Sequence, residues 1–272
     1  MKVPSILSFL PVAVSVVTIP HELRGSGLSP LCGTIIPEGF ADMSRGLATI
    51  ERAGGLTVND FDKVTVDVYV HVVASSQDND PSTGYLRGNQ VQEVIKYVNE
   101  QYNPLGFDFN LKAIDYTFDR ILANRTDPNF DVVSLDRLTR KGDLLTLNLW
   151  SLADMGDLCG ACVPPFPGQD VGENGEGCFL SYKAFPPFMN GECAAHEIGH
   201  WLGLTHTFQE HNNGTTPSCD DPDNDEIDDT PIHLSHWGDF DETFYKCLPL
   251  DTCPKQEVSV EEALVWRAEL TK

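Results

Sequence analysis

Basic side chains are scarce in this chain: 18 lysines and arginines stand against 41 aspartates and glutamates in 272 residues, a net charge of −23. A surface of that sign repels phosphate backbones, which excludes a nucleic-acid partner. Long apolar runs are missing too, since no segment beyond residue 17 is apolar for long enough to cross a bilayer. Repeats and low-complexity tracts are absent apart from an acidic run over residues 219–229. What remains is 41% hydrophobic and 22% charged, a globular composition with enough chain for a sizeable core. Eight cysteines suit a disulfide framework, although a chain of this length does not depend on one to fold.

The N-terminus sets the compartment. Lys2 precedes the apolar run ILSFLPVAVSVV at residues 6–17, too short to span a membrane and of the length of a signal-peptide core. A buried N-terminal strand is the alternative, disfavoured by Pro11 and the preceding charge. The reading is a secreted chain with a signal peptide over residues 1–18, a short pro-segment over 19–60 and one main domain over 61–272. The sequons at Asn124 and Asn213 are compatible with that route.

Within residues 38–53, Phe40, Met43, Leu47 and Ile50 recur at helical spacing, and Gly54-Gly55 stops the helix. The main domain opens with Val64, Val66, Val68, Val70 and Val72 in strict alternation, the pattern of a half-buried strand with His71 on its other face as a structural residue. Val91, Val94, Ile95 and Val98 form a helical stripe. Phe107, Phe109 and Leu111 alternate as a second strand, and Leu145, Leu147 and Leu149 as a third. Residues 157–188, rich in Gly, Pro and Cys, read as loop-dominated with one short strand over 178–182. Strand, helix, strand, strand and a further helix describe one α/β domain with an irregular C-terminal part.

That further helix carries the chemistry. From residue 196 the chain reads HEIGHWLGLTH, matching H-E-x-x-H-x-x-G-x-x-H through His196, Glu197, His200, Gly203 and His206. Residues four apart lie one above the other on a helix, so His196 and His200 can bind a single ion. Gly203 can adopt the left-handed conformation that ends a helix and lets His206 return to the same ion. Three histidines leave a fourth position open, the arrangement of a catalytic zinc site. Glu197, next to the first ligand, is placed to act as general base on a water molecule.

This segment resembles the metzincin zinc endopeptidases, and among them the pappalysin family, especially the secreted fungal extracellular metalloproteases. ECAAHEIGHWLGLTHTF over residues 192–208 is nearly the family's form, and NDEIDDTP over 224–231 is similar to its G-D-x-V-x-D-T-P, with Asn224 in place of Gly. VDVYVHVV, GFDFNL, TLNLW and Cys32-Gly33-Thr34 also look like family elements. The resemblance implies an α+β, α/β-like metzincin catalytic domain over 61–272, with a mostly parallel sheet, an active-site helix and an irregular C-terminal subdomain. It implies one zinc on His196, His200 and His206, Glu197 as catalytic base, and protein or peptide substrates. It assigns no oligomeric state.

Further implications are specific to single residues. Cys219 and Cys247 flank the acidic loop as the family's bonded pair does, and Ca2+ in that loop is implied beside the alternative of a solvated acidic loop. Cys159, Cys162, Cys178 and Cys193 are expected to pair among themselves. Cys32 is an expected latency ligand, its thiolate taking the open position on zinc, with a disulfide at Cys32 as the alternative. One departure counts against activity. The family's N-[YF]-M-D-Y turn beneath the zinc has no counterpart, because no methionine follows His206, and residues 255–272 read KQEVSVEEALVWRAELTK. The alternative function is therefore an inactive or weakly active zinc-binding secreted paralogue that acts as a binding protein.

Overall fold

A computed structural model describes residues 32–34, 62–165 and 175–206, with single positions between 43 and 55. Met43, Gly46, Thr49, Ile50 and Ala53 are helical, as expected for that stretch. The expected signal peptide, the acidic loop with its calcium reading, Cys219, Cys247 and residues 255–272 lie outside the described residues.

The alternating valines form β1 (Val64–Ala74), and all five are buried. The expected half-buried strand needs correction, because every residue from Val70 onward is buried on either face. The physical reason is position. β1 lies between β2 (Phe107–Phe118) and β3 (Leu147–Leu152), parallel to both, with helices covering the two faces. His71 is accordingly a core residue, with Nε2 3.0 Å from Asn148 Oδ1 and its ring stacked on Trp150.

The helical stripe forms α1 (Gly88–Tyr102), whose buried residues Val91, Val94, Ile95 and Val98 pack on the valine face of β1. Asn99 fixes the helix to β2: its side chain donates to the Phe109 carbonyl and accepts from the Phe109 N–H, both at 2.8 Å. The opposite face is covered by α2 (Val132–Thr139), an element the periodicity did not reveal. It is short and opens on two β-branched residues, poor helix formers, and it starts where Asp131 accepts from the Val133 N–H at 3.1 Å. Leu135 then packs with Trp150 and Phe179. The third strand begins later than its alternation suggests: Leu145 lies in a turn, its N–H on Asp143, and is exposed.

The described residues of 157–188 hold the expected short strand and one more. They supply β4 (Gly160–Val163) and β5 (Gly177–Ser181), which pair antiparallel, and β5 continues the sheet parallel to β3. Strand order is β2-β1-β3-β5-β4, so β4 is an edge. A four-residue strand starting in glycine has too little alternation to be recognised from sequence. The helix with the histidines, α3 (Glu192–Trp201), packs on the β1 valine face beside α1, over β4 and β5.

Candidate metal centre

α3 is buried along most of its length, with Ala194, Ile198 and Trp201 in the core and Glu197 and His200 buried beside them. It ends in two reciprocal bonds, from the Gly203 N–H to the His200 carbonyl and from the Leu204 N–H to the Gly199 carbonyl, both 2.9 Å. Gly203 takes φ 104°, a conformation that L side chains rarely adopt. The chain therefore reverses at once and brings His206 back over the helix.

The three Nε2 atoms converge. His200 lies 3.1 Å from His196 and 3.1 Å from His206, and those two are 3.3 Å apart. His200 Nδ1 sits 2.7 Å from the Leu204 carbonyl, which can only accept, so Nδ1 carries the proton and Nε2 offers its lone pair to the cluster. Cys32 Sγ, buried, lies 3.4 Å from His200 Nε2, and all four ligand atoms fall within 4.8 Å of one another. A tetrahedral ion with zinc–nitrogen bonds of about 2.0–2.1 Å and a zinc–sulfur bond of about 2.3 Å would space nitrogens by about 3.3 Å and nitrogen from sulfur by about 3.5 Å. The observed spacings fit zinc, and neutral imidazoles this close need a cation or shared proton between them.

The electrostatics agree. Burial, then the neighbouring His196 and His206, push His200 down to about 3. His196, although one edge is exposed, is pushed down to about 4 by its protein surroundings and by His206. Both rings are thus held neutral near pH 7, as ligation requires. The Cys32 thiol is pushed up by burial and by the Glu197 charge, a direction that a cation among the histidines opposes.

Glu197 is fully buried. Its Oε2 accepts from the Thr34 hydroxyl at 2.8 Å, and its Oε1 has no hydrogen-bond partner among the described residues. Burial pushes its carboxyl up to about 7, against the hydrogen bonds from Thr34 and Cys32. Gly160 on β4 makes room for it: a Cβ there would lie 2.5 Å from Glu197 Cγ. Cys159–Cys193 ties the chain just before the edge strand to the helix and Cys162–Cys178 ties β4 to β5, so the four cysteines do pair among themselves.

Comparison with known proteins bears on this geometry. The sequence pattern of the family described as pregnancy-associated plasma protein-A matches residues 187–261, and that of the reprolysin-like M12B metallopeptidases matches residues 88–207. The chain is 34% identical over 187 residues to extracellular metalloprotease 1 of Coccidioides posadasii, covering 65% of this chain and 64% of that protein, just under two thirds of its length. It is 32% identical over 233 residues to an extracellular metalloprotease of Pyricularia oryzae, covering 82% of this chain and 75% of the relative. The chain belongs to the pappalysin family of metallopeptidases. A promirolysin variant from Tannerella forsythia shares the pappalysin chain's fold at 19% identity, with a TM-score of 0.53 over 88% of this chain and 92% of that one, which supports the α+β metzincin architecture.

Sequence reasoning placed His196, Glu197, His200, Gly203 and His206 in this pappalysin site, and the structure brings them together with Cys32. It missed Thr34 and Gly160. Thr34 stood inside the Cys-Gly-Thr element without a role, and Gly160 carried no signal beyond being a glycine.

The buried carboxyl has a measurable consequence. In the unfolded chain Glu197 ionises near its ordinary 4.5, in the fold near 7, so above pH 7 the fold holds a buried carboxylate at a cost. That cost is on the order of 3 kcal/mol and fades as pH falls from 7 towards 4.5. Glu197→Gln in the metal-free chain is therefore expected to be more stable than wild type at pH 8, with the gap closing at pH 4.5. Urea unfolding at the two pH values checks this; equal stabilities at pH 8 would remove the burial penalty.

Proposed function

We propose that this chain is a secreted zinc endopeptidase in which His196, His200 and His206 hold one zinc, Glu197 is the general base, and Cys32 belongs to a pro-segment that keeps the site latent. The observation that carries the reading is the convergence of three imidazole nitrogens beside a buried carboxylate with one uncommitted oxygen. Zinc at such a site supplies Lewis-acid chemistry, acidifying water and polarising a carbonyl.

The protein's own groups supply the rest. Glu197 Oε1 accepts a proton from the attacking water, and a carboxyl pushed to about 7 can return it to the departing amine near neutral pH. Leu204 orients His200 through Nδ1. The Cys159–Cys193 disulfide holds the start of the edge strand against α3, and Cys162–Cys178 fixes that strand to β5. Peptide bonds are proposed as the substrate because the relatives are named metalloproteases, and secretion because they are named extracellular. No helix among the described residues is long and apolar enough to cross a membrane.

Latency is tested with the unprocessed chain. Cys32→Ser is expected to raise its hydrolysis of a casein or peptide substrate, since serine is a weaker zinc ligand than thiolate. Peptide mapping that finds Cys32 in a disulfide would end the latency role.

The paralogue reading draws on one sequence feature, the lack of a methionine after His206. Without the family turn beneath the zinc, turnover is expected to fall by about a hundredfold, the effect of a misplacement of roughly 1 Å. Kinetics of a chimera carrying an N-Y-M-D-Y segment after Pro254 check this, and equal turnover with and without the segment would show the turn to be dispensable.

A further inference from the structure

Cys32, Gly33 and Thr34 meet the site as a short extended stretch beside β4. Cys32 bridges Gly160 in parallel, and the Gly33 N–H donates to the Gly160 carbonyl at 2.9 Å. In an extended chain residues i and i+2 share a face. Cys32 and Thr34 therefore both point at α3, where Cys32 meets the histidines and borders Glu197 while Thr34 meets Glu197 alone among the site residues. Cys32 Sγ reaches His200 at 3.4 Å, while Thr34 Oγ1 reaches Glu197 Oε2 at 2.8 Å.

The polarity of the Thr34 contact is set by its other partner. The Cys162 N–H on β4 donates to Thr34 Oγ1 at 2.8 Å, which occupies a lone pair and leaves the single hydroxyl proton for the carboxylate. Thr34 is buried, so neither bond competes with water. A backbone donor on the rigid, disulfide-tied edge strand thus directs the hydroxyl onto one oxygen of Glu197.

We infer that Thr34 is a second lock on the site, holding the general base while Cys32 holds the metal position. This rests on the reading of the chain as a latent protease and adds that latency has two arms. The Thr34 arm needs no metal, because both of its partners are protein atoms. It also gives the threonine at this spacing a role: a thiol blocks ligation but leaves a buried carboxylate, and Thr34 satisfies one of its two oxygens. Loss of Cys32 alone leaves Glu197 engaged, so Cys32→Ser unlocks the chain only in part.

The test measures the rate at which iodoacetamide alkylates Cys32 in the full, zinc-loaded chain and again after chelation, followed by mass spectrometry of the Cys32 peptide. Thr34→Val keeps the shape and removes the hydroxyl, so alkylation is expected to quicken about tenfold or more in both states, the worth of a hydrogen bond to a charged group. Thr34→Ser is expected to stay near wild type. Thr34→Ala removes the same donor without a branched side chain and should quicken alkylation as Thr34→Val does, which keeps the test decisive if the valine variant folds poorly. In the Cys32→Ser background, Thr34→Val is expected to raise peptide hydrolysis by about tenfold again. Wild-type alkylation rates in Thr34→Val and Thr34→Ala, or equal acceleration in Thr34→Ser and Thr34→Val, would overturn the second lock. A Cys32→Ser, Thr34→Val chain that binds one zinc and cleaves nothing would instead fail the protease reading, with the alkylation rates still deciding the lock.

Discussion

Replacing Glu197 by alanine is expected to lower peptide hydrolysis by about 10²–10⁴-fold, the range assigned to a positioned general base. The metal should remain, because Glu197 is not one of the four converging ligand atoms: its carboxylate accepts from Thr34 and its stem lies over Gly160. Fold stability should hold or rise, since the variant removes a buried carboxyl whose ionisation is disfavoured. The informative result is therefore a split: zinc content unchanged, secondary structure unchanged, turnover lost. Measuring all three on one preparation of the Cys32→Ser chain separates a base from a structural residue. Loss of zinc together with activity would mean that Glu197 supports the metal rather than the proton transfer.

The second large effect is expected at His200. This histidine is buried, lies 3.1 Å from each of the other two ligand nitrogens, and has its tautomer set by a backbone carbonyl. Removing a group that only orients a ligand costs about 10- to 100-fold in metal affinity, so removing the ligand itself should cost at least a hundredfold. His200→Ala should leave His196 and His206 with an incomplete shell and release zinc to a competing chelator at concentrations that wild type withstands. Competition titration with a chromogenic chelator reads this directly. Zinc affinity equal to wild type in His200→Ala would sink the ligand assignment.

The site was legible where chemistry demands fixed spacing along one helix. His196 and His200 must be four apart to share an ion, and the reversal to His206 needs a residue that tolerates positive φ, so the motif states its own geometry. β1 was legible for a similar reason, through five alternating valines. Legibility failed where order depends on partners distant in sequence. β4 starts in a glycine and is held by its disulfides and by β5. α2 opens on β-branched residues and is stabilised by Leu135 in the core and by the Asp136–Arg140 ion pair at 2.7 Å. Burial of both faces of β1 could not be read from alternation, because a helix on the second face changes burial without changing the valines. Thr34 was hidden most completely: its role exists only once Glu197 and the Cys162 N–H, far away in sequence, close around it.

Zinc-edge X-ray absorption of the intact, unprocessed chain addresses the metal centre and its blockade together. The expected shell is three nitrogens at about 2.0–2.1 Å and one sulfur at about 2.3 Å, with the sulfur replaced by oxygen in Cys32→Ser and the nitrogens unchanged. A sulfur shell that persists in Cys32→Ser, or a chain that holds no zinc while His196, His200 and His206 are intact, would contradict the account.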